Sequence, residues 1–219
     1  QTAAASAGSE VVFESTETQY TSATYDPDNG KVVIAYQKHG GSYTGEAVVG
    51  TVSGTDITFG TPVNFAGNIS YIKSTYDTNS NRVVIAYKVA SNDYGYAIVG
   101  TVSGTSISFG TAVAFNSAIT VRPSIAYDST NSKVVIAYRD YGNSNYGTAR
   151  VGTVSGTSIS FGTAAVFESA STDYTGVAFD STNGKVVIAY TDSGNSDYGT
   201  AIVGTVSGTS ISFGTPAVF

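Results

Sequence analysis

Val32-Val33-Ile34-Ala35-Tyr36 reads as a β-strand, and the same five residues return at Val83, Val134 and Val186. β-Branched and aromatic side chains favour the pleated conformation. The run is apolar without alternation, so both of its faces are expected to be buried, as in a sheet lying between two others. A second marker, Gly-Thr-Val-Ser-Gly-Thr, begins at Gly50, Gly100, Gly152 and Gly204 and keeps the same step. Two markers in one register define a tandem repeat of four units.

Working outward from the pentapeptide, Tyr20 to Tyr25 forms a preceding strand that ends in Asp26-Pro27-Asp28-Asn29-Gly30. Pro presets φ in such a turn and Asn-Gly accepts positive φ. The equivalent stretch, Asp180 to Gly184, ends in the same Asn-Gly. A third strand runs from about Glu46 to Val52, Ser53-Gly54 makes a hairpin turn, and Thr55 to Phe59 alternates as a fourth strand. Each unit is therefore a four-stranded antiparallel meander.

Radial stacking satisfies such a meander best. The expected fold is all-β, a β-propeller built from four tandem four-stranded antiparallel blades of about 50 residues each. Residues 1–12 form an N-terminal extension and 13–219 a single domain, with units at about 13–64, 65–114, 115–166 and 167–219. Four blades can close a small ring, and larger rings are commoner; both closures stay open. Gly8-Ser9-Glu10-Val11-Val12-Phe13 matches the ending Gly214-Thr215-Pro216-Ala217-Val218-Phe219, so the four units carry five endings. The spare one either covers the first unit or pairs through Glu10, Val11, Val12 and Phe13 with an edge of another copy, giving a homo-oligomer or polymer.

The patterns Tyr-Asp-x-x-Asn-Gly-Lys-Val-Val-Ile-Ala-Tyr and Gly-Thr-Val-Ser-Gly-Thr-Ser-Ile-Ser-Phe-Gly resemble the propeller-type repeats of bacterial and phage surface proteins. The resemblance covers the chain from Phe13 onward and implies a fold and a surface setting, not an activity.

Composition narrows the partners. Ten Lys and Arg in 219 residues and a net charge of −6 leave no basic stripe, which argues against nucleic acid. No apolar run approaches the roughly 18 residues of a membrane span. The chain has no cysteine and no methionine. Its opening run, Gln1-Thr2-Ala3-Ala4-Ala5-Ser6-Ala7, has the small residues found beyond a secretory cleavage site, so an extracellular or cell-surface location is expected, with a virion surface as the alternative.

Catalytic chemistry is hard to assemble. His39 is the single histidine, with no marked serine to activate, and the four arginines, Arg82, Arg122, Arg139 and Arg150, sit in nonequivalent settings. Glu10, Glu14, Glu17, Glu46 and Glu168 give no pairing suited to glycoside hydrolysis. The expectation is a protein that is not an enzyme and needs no cofactor. Calcium is the one ion left open, through Asp26 and Asp28, Asp140 to Asn143, or Asp192 to Asn195, none of which keeps regular calcium-loop spacing.

The loop after the second strand varies most while keeping Asn or Asp beside Tyr. Its members are Tyr43; Asn92, Asp93 and Tyr94; Asp140, Asn143, Asn145 and Tyr146; and Asp192, Asn195, Asp197 and Tyr198. A planar ring beside short polar acceptors suits a sugar, so these residues are the expected ligand-binding set. The functional expectation is an exported, non-enzymatic, multivalent binding protein of lectin-like character that contacts glycans or surface polymers through these loops. The alternative is a self-assembling structural subunit of a surface layer, extracellular fibre or phage appendage.

Overall fold

A computed structural model describes residues 8–219. The chain is all-β and every strand pairing is antiparallel. The first unit comprises β1 (Thr18–Asp26), β2 (Lys31–Lys38), β3 (Thr44–Ser53), β4 (Asp56–Phe59) and β5 (Val63–Ala66). The second comprises β6 (Ile69–Asp77), β7 (Arg82–Val89), β8 (Gly95–Ser103), β9 (Ser106–Phe109) and β10 (Val113–Asn116). The third has β11 (Thr120–Asp128), β12 (Lys133–Asp140), β13 (Tyr146–Ser155), β14 (Ser158–Phe161) and the start of β15 (Ala165–Asp180). The rest of β15 opens the fourth, followed by β16 (Lys185–Asp192), β17 (Tyr198–Ser207), β18 (Ser210–Phe213) and β19 (Ala217–Val218).

Each meander keeps one register, with Val32 opposite Gly50, Val83 opposite Gly100, Val134 opposite Gly152 and Val186 opposite Gly204. Its fourth edge differs from the sequence expectation. Two short strands, not one, share the third: Gly50 to Ser53 pairs with β4, while Gly45 to Ala47 pairs with β5. The hairpin turn is also one residue later than expected, at Gly54-Thr55, because Gly54 occupies the first turn position at φ 61°, which glycine adopts at no steric cost.

Turns between the first two strands are held by an aspartate, buried in the first three units and half-buried in the fourth. Asp26 Oδ1 accepts from the amides of Asp28 (3.0 Å) and Asn29 (3.1 Å), and Asp77, Asp128 and Asp180 repeat this arrangement. The Asn183 side chain, donating to Asp180, holds that carboxyl below the usual range. The residue before the second strand lies at positive φ in every unit, as Gly30, Asn81, Ser132 and Gly184.

The sheets stack face to face. Val33, Ala35, Ala47 and Val49 of the first unit form one cluster with Val83, Ile85, Tyr87, Ile98, Val102 and Ile107 of the second. Val84, Ala86, Ala97 and Val99 meet the corresponding face of the third, and Val135, Ala137, Ala149 and Val151 that of the fourth. The small face of one sheet thus admits the large face of the next, and each fully buried Val, Ile or Tyr is worth roughly 1.5–3 kcal/mol. A phenylalanine closes each contact from the tail of the unit before. Phe65 lies 5.4 Å from both Tyr87 and Phe109, and Phe115 and Phe167 meet Tyr138 and Phe161, and Tyr190 and Phe213, in the same way. First strands follow one another, β1 beside β6, β6 beside β11 and β11 beside β15. Among the described residues no sheet closes on itself, and β1 and β15 make no comparable contact.

Burial on both faces of the pentapeptide holds in the middle units, where all five residues of Val83–Tyr87 and of Val134–Tyr138 are buried. In the outer units it does not. Val32 and Ile34 are half-buried, and β16 alternates, because each end sheet has a neighbour on one face alone.

The N-terminal segment covers the first unit as each unit's tail covers the next. Phe13 lies 5.1 Å from Tyr36 and 5.8 Å from Phe59. Beside it Glu14 bonds Lys38 at 2.8 Å and accepts from Thr16, and these contacts pull its carboxyl down to about 2.

A Cβ added at Gly110 would lie 1.9 Å from the Thr157 carbonyl oxygen of the next unit, whereas one at Gly67 meets nothing within 4 Å. Gly110→Ala should therefore cost about 1–3 kcal/mol in urea unfolding, with Gly67→Ala close to wild type. A depressed carboxyl stabilises fully above its ordinary range and loses that contribution as pH falls through its folded value. Glu14→Gln should be less stable than wild type at neutral pH, and thermal unfolding should show the gap closing as pH approaches about 2.

Candidate functional site

Every first strand slips once against its partner: between Gln19 and Ser22, Ser70 and Lys73, Val121 and Ser124, and Asp173 and Gly176. Within each slip one residue adopts the left-handed conformation: Tyr20 (φ 50°), Tyr71 (56°), Arg122 (48°) and Tyr174 (50°). That conformation costs a non-glycine residue about 1–2 kcal/mol. A bulge repeated four times with large residues at the costly position re-aims side chains. Here they converge on a cavity of about 330 Å³ lined by Tyr20, Thr21, Tyr71, Ile72, Lys73, Arg122, Pro123, Tyr174 and Thr175. Its size is at the lower end of small-molecule sites, roughly 300–1,000 Å³.

Aromatic and cationic groups set the character of this cavity. Tyr20 and Tyr71 meet edge to face at 5.1 Å. The Arg122 guanidinium stacks 3.9 Å over the Tyr174 ring and is ion-paired with Asp173, which holds it further above its usual range. Arg139 stands 3.7 Å from the other Asp173 oxygen. Lys88 lies 5.6 Å over the Tyr71 ring and bonds Asp93 at 2.6 Å. Lys73 lines the cavity and, among the described residues, has no carboxylate partner. Four cations, Lys73, Lys88, Arg122 and Arg139, thus face two carboxylates in a chain whose net charge is −6. Tyr174, 68% exposed, leaves its ring open to solvent.

The loop residues expected to bind ligand have mostly structural roles. Tyr43, Asp93 and Asn145 are equivalent, all at positive φ, and their carbonyls accept from the Ile69, Thr120 and Thr172 amides that begin the next first strand. Asp197 has the same conformation without such a partner among the described residues. Asn92 accepts from the Tyr94 amide and donates to the Tyr96 hydroxyl. Asp140 is buried and accepts from Asn116, and Asp192 accepts from the Gly194 amide. Asn143 and Asn195 end exposed 3₁₀ turns, Tyr146 is half-buried and Tyr198 exposed. Of the whole set, Asp93 and Asn145 reach the cavity's margin, through Lys88 and through Arg139, whose Nε donates to Asn145 at 3.0 Å.

The remaining sequence candidates lie elsewhere. His39 sits between Glu17 (3.4 Å) and Gln37 (3.2 Å) with its ring edge-on to Tyr43 at 4.4 Å. Asp26 spends its oxygens on its own turn, and Asp28 accepts from the Tyr76 hydroxyl. Among the described residues no group of three or more His, Cys, Asp or Glu gathers as a metal site would require. Glu10, Val11 and Val12 are exposed outside any strand, and Phe13 is half-buried.

No family model matches the chain, and no curated protein matches it. A solved structure from a study of two prolyl endopeptidases, concerned with inter-domain dynamics in catalysis and specificity, is similar at 10% identity with a TM-score of 0.46. The alignment covers 94% of this chain and 29% of that one.

The sequence did carry a signal for this cavity. Tyr20, Tyr71, Arg122 and Tyr174 each stand twelve residues before the Val-Val-Ile-Ala-Tyr of their unit. The bulge itself is testable, since a β-branched residue tolerates the left-handed region poorly and glycine tolerates it freely. Tyr174→Val should be about 1–2 kcal/mol less stable than Tyr174→Gly in thermal unfolding, the reverse of the order expected within a regular strand.

Proposed function

We propose that the four meanders are successive blades of an incomplete β-propeller, and that the chain is a non-enzymatic binding module for anionic glycans on an extracellular surface. The neighbouring first strands and the face-to-face sheets support the propeller reading. One observation carries the binding reading: four equivalent bulges from four units bring Tyr20, Tyr71, Arg122 and Tyr174 to one cavity beside Lys73.

Each part has a role toward a sugar. Exposed tyrosine rings offer flat faces for the apolar side of a pyranose, and their hydroxyls can donate or accept. Arg122 is held by Asp173 and Tyr174, so its fork is fixed before a ligand arrives, which lowers the ordering cost of binding. Lys73 supplies a mobile charge for a carboxylate or sulfate. The strained bulges keep these groups in place without a ligand.

The test is titration calorimetry with a uronic-acid oligosaccharide and with its neutral counterpart of equal length. Binding is expected for the acidic sugar, weakening as salt rises. Arg122→Ala, Lys73→Ala and Tyr71→Ala should each weaken it by roughly tenfold, the equivalent of about 1.4 kcal/mol. Equal affinity for the neutral sugar would remove the charge argument. No binding of either, with a glycan array also blank, would overturn the proposal.

A further inference from the structure

The four cations around the cavity are not equally free. Lys88 is closed by Asp93 at 2.6 Å and lies against the Tyr71 ring. Arg122 and Arg139 share the single carboxylate of Asp173, each at a different oxygen, so one positive charge is left over between them. Lys73 is exposed and, among the described residues, has no carboxylate within ion-pair distance. Two uncompensated charges therefore stand at two places, one on the second unit and one across the seam between the third and fourth.

Each charge has aromatic surface beside it. At Lys73 the Tyr20 and Tyr71 rings meet edge to face in the cavity lining. Across the seam the groups run in a row: Tyr174, Arg122 stacked on it at 3.9 Å, Asp173, Arg139, and Tyr141, whose ring centroid is 5.9 Å from the Arg139 guanidinium. Tyr174 and Tyr141, at the two ends, are 68% and 53% exposed. Only the first two members line the cavity, so the row leads out of it. Nothing in the repeat demands this row. Asp173 stands where the other first strands have Gln19, Ser70 and Val121, each opposite the residue that follows the pentapeptide. Tyr141 stands where the fourth unit has Ser193, in a 3₁₀ turn that buries none of its residues. Arg139 is fixed from a second side by its Nε, which donates to Asn145 at 3.0 Å. Asp173 and Asn145 engage only part of its five-donor fork, and a fork aimed in advance suits a further carboxylate or sulfate.

We infer that the glycan site holds two acidic sugar residues at once, one acid group at Lys73 in the cavity and the next at the Arg122–Arg139 pair, with Tyr141 as the platform for the outer ring. The inference rests on the anionic-glycan reading above and narrows its ligand. That ligand is an oligosaccharide with an acid group on each of neighbouring residues, not a neutral glycan ending in a single acid. Once the first acid group is seated, the second binds as an intramolecular event, so the gain from adding it exceeds that of one more exposed ion pair.

Titration calorimetry at low salt tests this with two sugars of equal length, an oligouronate acidic at every residue and a neutral oligosaccharide ending in one uronic acid. The fully acidic chain should bind at least about tenfold tighter. Arg139→Gln and Tyr141→Ala, both outside the cavity lining, should remove that difference while changing the affinity of the single-acid sugar by no more than about twofold, since Lys73 still holds it. Lys73→Gln should weaken both sugars. Tyr141 lies in an exposed turn, so its variant should melt near wild type and report on binding alone. Equal affinity for the two sugars, or a Tyr141→Ala loss that is the same for both, would overturn the second subsite and leave the cavity reading standing. Binding of neither sugar would overturn the anionic-glycan reading itself, and the inference with it. A glutamate peptide of matched charge that binds as tightly as the oligouronate would overturn the sugar as the ligand class.

Discussion

The contact between a sheet's small Val and Ala face and the next sheet's Tyr, Ile and Val face governs this molecule. A single four-stranded meander cannot bury both sides of its second strand, and it finds cover only against its neighbours. The contact is tight because Ala35 and Ala47, with their counterparts, leave room for Tyr87 and its equivalents, and a phenylalanine from the preceding tail fills the remaining gap. Glycines mark the closest approaches. Gly60, Gly110 and Gly162 stand against a backbone carbonyl of the next unit, leaving no space for a side chain.

Stacking by repeated contact has consequences both in the loops and along the first strands. In the loops, Tyr43, Asp93 and Asn145 use a left-handed backbone to hold the next first strand by a single hydrogen bond, so sheet spacing is fixed there as well as in the core. The first strands lie side by side, and a bulge in each turns one large side chain out of register. Repetition thereby multiplies a local irregularity into a site. Arg122 stands where the other units have tyrosine, ion-paired with Asp173 from the adjacent unit, and Lys73 beside it adds a second cation to the cavity lining.

Much of this architecture is legible in the sequence. The strands, their order and the Asp-led turns follow from Val-Val-Ile-Ala-Tyr, Gly-Thr-Val-Ser-Gly-Thr and the Asn-Gly turn. The split of the fourth edge was not, because β5 is four residues long and its pairing with Gly45 to Ala47 depends on where the chain turns at Gly60. The site was misplaced for a similar reason. Asn, Asp and Tyr in loops look alike whether they bind a ligand or close a turn, and Asp140 and Asp192 prove to be turn and network residues. Tyr20 reads as an ordinary strand residue, since a bulge leaves no mark in an apolar–polar pattern, and only the constant twelve-residue spacing before each pentapeptide sets it and its equivalents apart.

The sequence alone determined the repeat, the antiparallel meander and the apolar faces, because these depend on side-chain periodicity and turn residues a few positions apart. Tertiary structure decided which faces are covered, where the bulges point and which residues from different units meet. Those outcomes depend on contacts between positions about 50 residues apart, where chemically similar units differ only in having or lacking a neighbour. Val52 and Val102 occupy equivalent places in identical motifs, and one is exposed while the other is buried.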